Sequence, residues 1–359
     1  MKIPYLSLRD VTQQHEEEIL RAVGRVVKSG WYLQGEETAA FEREFAAYTG
    51  MSHCVGCGNG LDALMLIFQG YLSMGLLEKG DEVIVPANTY IASILAITEC
   101  GLTPILVEPR LETFLIDDRE IDSNITKKTK AILLVHLYGY NAFTERIGKI
   151  CSERNLLLIE DCAQSHGNVV PHKPLRGACA YSFYPGKNLG ALGDGGCVTT
   201  DDDVLAERVR AFGNYGSSRK YVFDYRGRNS RLDEIQAAVI RVKMKYIDHD
   251  NRRRREIASR YISGIRHEGI RLPSPKGVFH IFPLLCTRRD EVQRYLAECG
   301  VGTMIHYPIP PHLQKAYSEW NTISLPVTER IHREELSLPC NQTMSNEEAD
   351  YVVACINSM

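Results

Sequence analysis

No run of this chain reaches the ~20 consecutive apolar residues that a membrane-spanning helix needs, and the opening Met1-Lys2-Ile3-Pro4-Tyr5 lacks the apolar core of a secretory signal. Both absences predict a cytoplasmic protein. A surplus of positive charge is missing too. Forty-two Lys and Arg against 45 Asp and Glu leave a net charge of -3, so no nucleic-acid partner is expected. The one basic cluster, Arg252-Arg253-Arg254-Arg255, follows Asp250-Asn251, which can cap a helix, and four successive helical residues point around most of the circumference. It reads as a solvated helix start. The 11 cysteines are odd in number and scattered through apolar segments, as at Cys162, Cys197 and Cys299, which argues against a disulfide framework and suits buried thiols in a reducing compartment. His53-Cys54-Val55-Gly56-Cys57 holds a CxxC, but no second close pair accompanies it, so no metal site is expected. Internal repeats and low-complexity segments are also lacking.

What is present is an ordinary globular composition, 44% hydrophobic and 24% charged, in a chain of 359 residues, long enough for two domains. Ile19, Leu20, Val23, Val26 and Val27 recur at the helical period, predicting a helix from Gln13 to Lys28 stopped by Gly30. Phe41, Phe45 and Tyr48 mark a second helix ending at Gly50, and Gly58-Asn59-Gly60 opens a third. Short apolar strands then alternate with helices: Glu82 to Val85, Pro104 to Val107, Ala131 to Val135, Leu156 to Ile159, Ala180 to Phe183 and Gly196 to Thr200. Such alternation predicts an α/β fold with a mostly parallel sheet covered on both faces. Long helices follow at Leu232 to Tyr246 and Arg252 to Arg266. A strand from Val278 to Cys286, a helix from Glu291 to Cys299 and a Pro-rich stretch after Tyr307 predict a smaller α+β domain. The expected division is 1–250 and 251–359.

Ligands of parallel sheets sit beyond the carboxyl ends of the strands. That rule places Pro86 to Tyr90, His136 to Gly139 and Asp161 to Gln164 along one rim. Lys187, in Ser182-Phe183-Tyr184-Pro185-Gly186-Lys187-Asn188-Leu189-Gly190, lies downstream of a strand closed by Glu160-Asp161. A lone lysine in a Gly-rich turn is usually a surface residue. With an acid at a strand end it can instead be a Schiff-base carrier, the acid holding a pyridinium nitrogen protonated. The other parts that a pyridoxal phosphate (PLP) site needs have candidates as well. Gln164 can reach the ring hydroxyl, Tyr90 can stack on the ring, and Asn59, Gly60 and Leu61 at a helix start offer free N–H groups to a phosphate, with Ser182 adding a hydroxyl.

These residues, with Ser29-Gly30-Trp31-Tyr32-Leu33-Gln34-Gly35, Ile159-Glu160-Asp161-Cys162-Ala163-Gln164-Ser165-His166-Gly167, Gly227-Arg228-Asn229-Ser230-Arg231-Leu232-Asp233-Glu234 and His306-Tyr307-Pro308, resemble the sugar-nucleotide aminotransferases of the DegT/StrS type, within fold type I of the PLP enzymes. The resemblance runs nearly end to end. It implies a large α/β/α domain with a seven-stranded, mostly parallel sheet and a smaller α+β domain. It implies PLP on Lys187, Asp161 at the pyridine nitrogen, Gln164 at the ring hydroxyl, Tyr90 on the ring face and Ser182 at the phosphate. Asn229 is implied to reach the phosphate of the neighbouring subunit, making a homodimer with shared active sites. Many relatives carry Thr or Ser where this chain has Leu61, so one hydroxyl contact to the phosphate is absent. Retention of Lys187 separates the chain from the family's dehydratases, which have histidine there.

The wording of Pro86 to Ile97, Val135 to Tyr140 and Tyr184 to Lys187 is most similar to enzymes that move glutamate's amino group to C3 of dTDP-linked 3-keto-6-deoxyhexoses, for surface polysaccharides and glycoproteins. The dTDP-sugar is expected across Tyr184, His306 and Tyr307, with Arg219, Lys220 and Tyr221 near its diphosphate. Amination at C4 of another nucleotide sugar and a non-enzymatic PLP-binding regulator are the alternatives. Gly190-Ala191-Leu192-Gly193-Asp194-Gly195-Gly196 lacks the Gly-Lys-Ser/Thr ending of a phosphate loop and reads as a tight turn.

Overall fold

The structure, a computed structural model, describes residues 1–168 and 177–359. The chain opens with helices α1 (Leu8–Gln13), α2 (Glu16–Ser29) and α3 (Glu36–Thr49), then β1 (His53–Cys57), α4 (Gly60–Ser73), β2 (Glu82–Pro86), α5 (Ile91–Glu99) and β3 (Thr103–Val107). It continues through β4 (Thr129–Val135), α6 (Glu145–Arg154), β5 (Leu157–Asp161), β6 (Ala178–Ser182), β7 (Gly196–Thr200), α7 (Asp203–Gly213) and a hairpin of β8 (Ser217–Arg219) and β9 (Val222–Phe223). Helices α8 (Glu234–Met244) and α9 (Ile247–Gly264) lead to β10 (Ile270–Arg271), β11 (Phe282–Cys286), α10 (Arg289–Glu298), α11 (Pro326–Glu334), β12 (Glu335–Leu338) and α12 (Asn346–Asn357).

Seven strands form the main sheet in the order β1-β7-β6-β5-β4-β2-β3, with β7 antiparallel to both of its neighbours and the other pairs parallel. The continuous apolar runs of the central strands follow from burial on both faces. Val83, Val85, Ala131 and Leu133 join one core with α4, α5 and α7, while Ile84, Ile132, Leu134 and Leu158 pack with α6 on the other face. The second sheet, β10-β11-β12, packs with α9, α10 and α12 around Tyr261, Phe282, Leu296 and Ile356.

Position 250 falls inside the unbroken α9. The amino terminus also belongs with the smaller sheet's core: Ile3 N–H donates to Gly300 O and Gly302 N–H donates to Ile3 O, both at 2.8 Å. The two parts of the chain are thus tied by a shared helix and by an amino-terminal strap.

Several expectations need correction. The predicted first helix is broken at residues 14–15, and Leu20 and Val27 face outward at 63% and 55% exposure instead of joining Ile19 and Val26 in the core. The strand expected from Val278 starts only at Phe282, because Phe279 has a left-handed backbone at φ 47°. Asp250 and Asn251 do not cap a helix. They lie buried within α9, and Arg254 is 3% exposed, donating to the carbonyls of Phe279 and Cys340 and to Gln342. Tertiary carbonyls, invisible in a charge count, took that guanidinium out of solvent.

Candidate active site

The carboxyl ends of β2, β4 and β5 open into a cleft of about 820 Å³, walled by both sheets' surroundings and by Tyr5, Leu6 and Leu8 of the amino-terminal strap. Asn59, Gly60, Leu61, Tyr90, Asp161, Gln164, Ser182, Tyr184, Lys187, His306 and Tyr307 all line it.

Asp161 ends β5, so its side chain stands at the rim while Glu160, one residue earlier, points to the opposite face. Glu160 pairs there with His136 Nε2 at 2.7 Å, and Ala142 N–H donates to His136 Nδ1, which leaves the ring proton on Nε2. Asp161 is buried and doubly held, accepting from Ser93 Oγ at 2.9 Å and from Ala163 N–H at 3.1 Å. Gln164 Oε1 accepts from Tyr138 N–H at 2.6 Å, which orients the amide, and its Nε2 donates to the Tyr307 hydroxyl at 3.0 Å. Tyr90 precedes the first turn of α5, half-exposed, its ring 5.0 Å from that of Tyr307.

Lys187 is half-buried in the cleft. Burial lowers its pKa to about 8 although the negative charge of Asp161 opposes the shift. At pH 7.5 this raises the neutral, nucleophilic fraction roughly two-hundredfold over an ordinary lysine. Nearby, His280 Nδ1 lies 3.1 Å from Asn188 Oδ1, and the Asn188 amide donates to Asn251 and to Val278 O. The oriented amide oxygen can only accept, so His280 carries its proton on Nδ1. Burial, reinforced by Lys187, pushes the His280 pKa well below the usual histidine range.

The helix start of α4 is a ready anion cradle. Asn59 Oδ1 accepts from Asp62 N–H and Asn59 O from Ala63 N–H, leaving Gly60 and Leu61 N–H without acceptors among the described residues at the positive end of the helix. Gly60 is required by space, since a Cβ there would lie 2.7 Å from Ser182 Cβ. Two free N–H groups, the Ser182 hydroxyl, a carboxylate and an amine in one cleft fit PLP in phosphate, ring nitrogen and aldehyde. Among the described residues no group of three or more His, Cys, Asp or Glu forms a candidate metal site.

Three expected substrate residues are not brought to this cleft, and neither is Asn229, which the resemblance assigns to the neighbouring subunit's cofactor. Arg219, Lys220 and Tyr221 sit on the β8–β9 hairpin, with Tyr221 82% exposed, and Asn229 lies exposed beside it, bridged to Asn214. Conversely, Ser93, His280 and Glu335 support the site without having been singled out, whereas Tyr138 and Asn188 lie in segments that the sequence already places there. Ser93 has a local signal, standing four residues after Thr89 on the predicted rim. His280 and Glu335 come from distant segments.

The geometry agrees with what comparison shows. Residues 13–357 match the model of the DegT/DnrJ/EryC1/StrS aminotransferase family. The chain is 51% identical to dTDP-3-amino-3,6-dideoxy-alpha-D-galactopyranose transaminase of Aneurinibacillus thermoaerophilus, over 99% of both chains. Among solved structures, Streptomyces venezuelae DesV in complex with a ketimine intermediate is 41% identical, with a TM-score of 0.95 over 99% of this chain and 98% of that one. Bacillus subtilis ntda with bound cofactor pmp is 33% identical, with a TM-score of 0.91 over 99% of this chain and 84% of that one. With Lys187, Asp161 and the α4 cradle in place and the match running almost from end to end, the chain belongs to the DegT/DnrJ/EryC1/StrS aminotransferase family.

Proposed function

We propose that this PLP-dependent aminotransferase moves the amino group of glutamate to the C3 keto group of a dTDP-linked 3-keto-6-deoxyhexose, giving a dTDP-3-amino-3,6-dideoxyhexose. The observation that carries this reading is the Lys187 amine sharing one cleft with Asp161, Gln164 and the α4 cradle, in a chain 51% identical throughout to a transaminase named for such a sugar.

Bound at this site, the cofactor supplies an aldehyde that exchanges amino groups and a ring that accepts electrons from the adjoining carbon. Gly60, Leu61 and Ser182 would hold its phosphate, Tyr90 its ring face and Asp161 its ring nitrogen. Gln164 Nε2 keeps one N–H beyond the bond to Tyr307 and would donate it to the ring oxygen. Lys187, whose lowered pKa gives it a substantial neutral fraction near physiological pH, would anchor the cofactor until an incoming amine displaces it. It then takes the proton from the glutamate α-carbon, and in the return half-reaction it delivers a proton to C3 of the sugar. Tyr184, His306 and Tyr307 would meet the sugar nucleotide.

The active unit is inferred to be a homodimer. Leu20, Val27, Trp31 and Phe223 leave apolar surface exposed on a single chain, and Asn229, with Arg219, Lys220 and Tyr221, stands outside its own cleft. A second copy would bury the former and receive the latter. No described helix is long and apolar enough to cross a membrane.

Absorption spectra test the reading. Glutamate should bleach the visible band of the purified protein, and dTDP-3-keto-6-deoxyhexose should restore it; Lys187→Ala should show neither change. Restoration only by a 4-keto sugar nucleotide would move the reaction to C4.

A further inference from the structure

Behind the cleft wall, three side chains of the small domain are connected in series. His306 lines the cleft, and its Nδ1 lies 2.8 Å from Ser337 Oγ. Ser337 Oγ in turn contacts Glu335 Oε1. The other carboxyl oxygen, Oε2, accepts from His306 N–H at 2.6 Å. Glu335 and Ser337 are completely buried, and among the described residues His306 Nε2 has no partner.

A serine hydroxyl has one proton, so the direction of the series is all or none. With Glu335 ionised, Ser337 donates to Oε1 and must accept from His306, which then carries its proton on Nδ1 and offers a lone pair at Nε2. With Glu335 protonated on Oε1, that O–H donates to Ser337, Ser337 donates to Nδ1, and the His306 proton sits on Nε2. The bond from His306 N–H to Oε2 survives in both states, so neither leaves a buried group unpaired.

We propose that Glu335 and Ser337 are positioning residues that set which ring nitrogen of His306 carries the proton, so that with Glu335 protonated His306 donates from Nε2 to a hydrogen-free oxygen of the sugar nucleotide, keto or diphosphate. The assignment of ligand rests on the function proposed above; the relay does not. Burial pushes the Glu335 pKa up to about 8, against the hydrogen bonds from Ser337 and His306 N–H and the charge of Arg289 on α10. The groups facing it are the phenols of Tyr5, Tyr138 and Tyr307 and the thiol of Cys286, all held neutral by burial. Burial, together with Lys187, lowers the His306 pKa to about 4, so the ring is neutral across the working range and only its tautomer changes. Near neutral pH the donor state prevails.

Glu335→Gln separates the states. His306 N–H needs an acceptor, which fixes the amide oxygen on that side and turns the NH2 toward Ser337, freezing the donor tautomer. The first readout is long-range 15N–1H NMR of holoenzyme carrying 15N-histidine, with the His306 signals identified by their loss in His306→Asn. Wild type should pass from the Nε2–H to the Nδ1–H pattern as pH rises through about 8, and Glu335→Gln should keep Nε2–H throughout. One unchanging tautomer in wild type, or the same transition in Glu335→Gln, overturns the relay. The second readout is KM for the keto sugar nucleotide, expected to rise about tenfold over that interval in wild type and not in Glu335→Gln, with KM for glutamate alike in both. Lys187 titrates nearby, so the difference between the two proteins is what counts. A tautomer change without that KM difference overturns the recognition role, and failure of every sugar nucleotide to react would remove the proposed function while leaving the NMR result to judge the relay. Ser337→Ala should lose the pH-linked change, and Ser337→Thr should restore it; a pH-linked change that persists in Ser337→Ala overturns the relay.

Discussion

Ser93 Oγ donates to Asp161 Oδ2 at 2.9 Å, and because that hydroxyl has a single proton, Thr89 Oγ1 is the donor in its 2.8 Å contact with Ser93. The Asp161 carboxylate, proposed to meet the pyridine nitrogen, is therefore aimed from α5, not only by its own strand. Ser93→Ala should weaken PLP binding and lower kcat/KM about tenfold, the worth of one hydrogen bond to a charged group. Cofactor titration by absorbance, beside the kinetics, checks both; unchanged PLP affinity would contradict the role.

A Cβ at Gly60 would lie 2.7 Å from Ser182 Cβ, at the proposed phosphate cradle. Gly60→Ala should fold normally by circular dichroism yet bind PLP at least about tenfold less tightly, as expected when helix-start N–H groups are obstructed.

The lowered pKa of Lys187 has a cost in the cofactor-free protein. Between about 8 and 10.5 the unfolded chain binds more protons than the folded one, so this lysine makes stability rise with pH over that interval, and below about 8 its full penalty is present. Cofactor-free Lys187→Met should melt about 2 °C above wild type at pH 7, with the gap shrinking by pH 10. An equal gap at both pH values would refute this.

Glu234 holds the start of α3 from nearly 200 residues away, accepting from the N–H groups of Gly35, Glu37 and Thr38, each at 2.9 Å. Burial opposes its ionised form, but these bonds prevail and lower its pKa. Its contribution is present above the unfolded carboxyl pKa and is lost as pH falls through the depressed folded value. Glu234→Ala should cost about 3 kcal/mol in urea unfolding at pH 7, and distinctly less at pH 3.

The proposed homodimer with shared sites predicts complementation. Lys187→Ala and Asn229→Ala should each be impaired alone, whereas co-refolded mixtures should recover up to about a quarter of wild-type activity, because half the dimers are mixed and each has one intact site. Mixtures no better than the parents would place Asn229 outside the site.

The parallel-sheet architecture, the rim and the candidate Schiff-base lysine were legible in the sequence. Strand periodicity and the residues at strand ends are local properties, and Asp161, Gln164 and Lys187 lie where a βαβ pattern presents its ligands. Tertiary structure alone decided what surrounds them. The Arg252 to Arg255 run looked solvated, yet carbonyls from β11's approach and from beyond β12 buried Arg254. Leu20 and Val27 kept the helical period of a core face but turned outward. His280 and Glu335 reached the site because two sheets close over one cleft. A hydrogen bond depends on where two chain segments meet in space, and separations of 29, 92 or 199 residues leave no trace in local pattern.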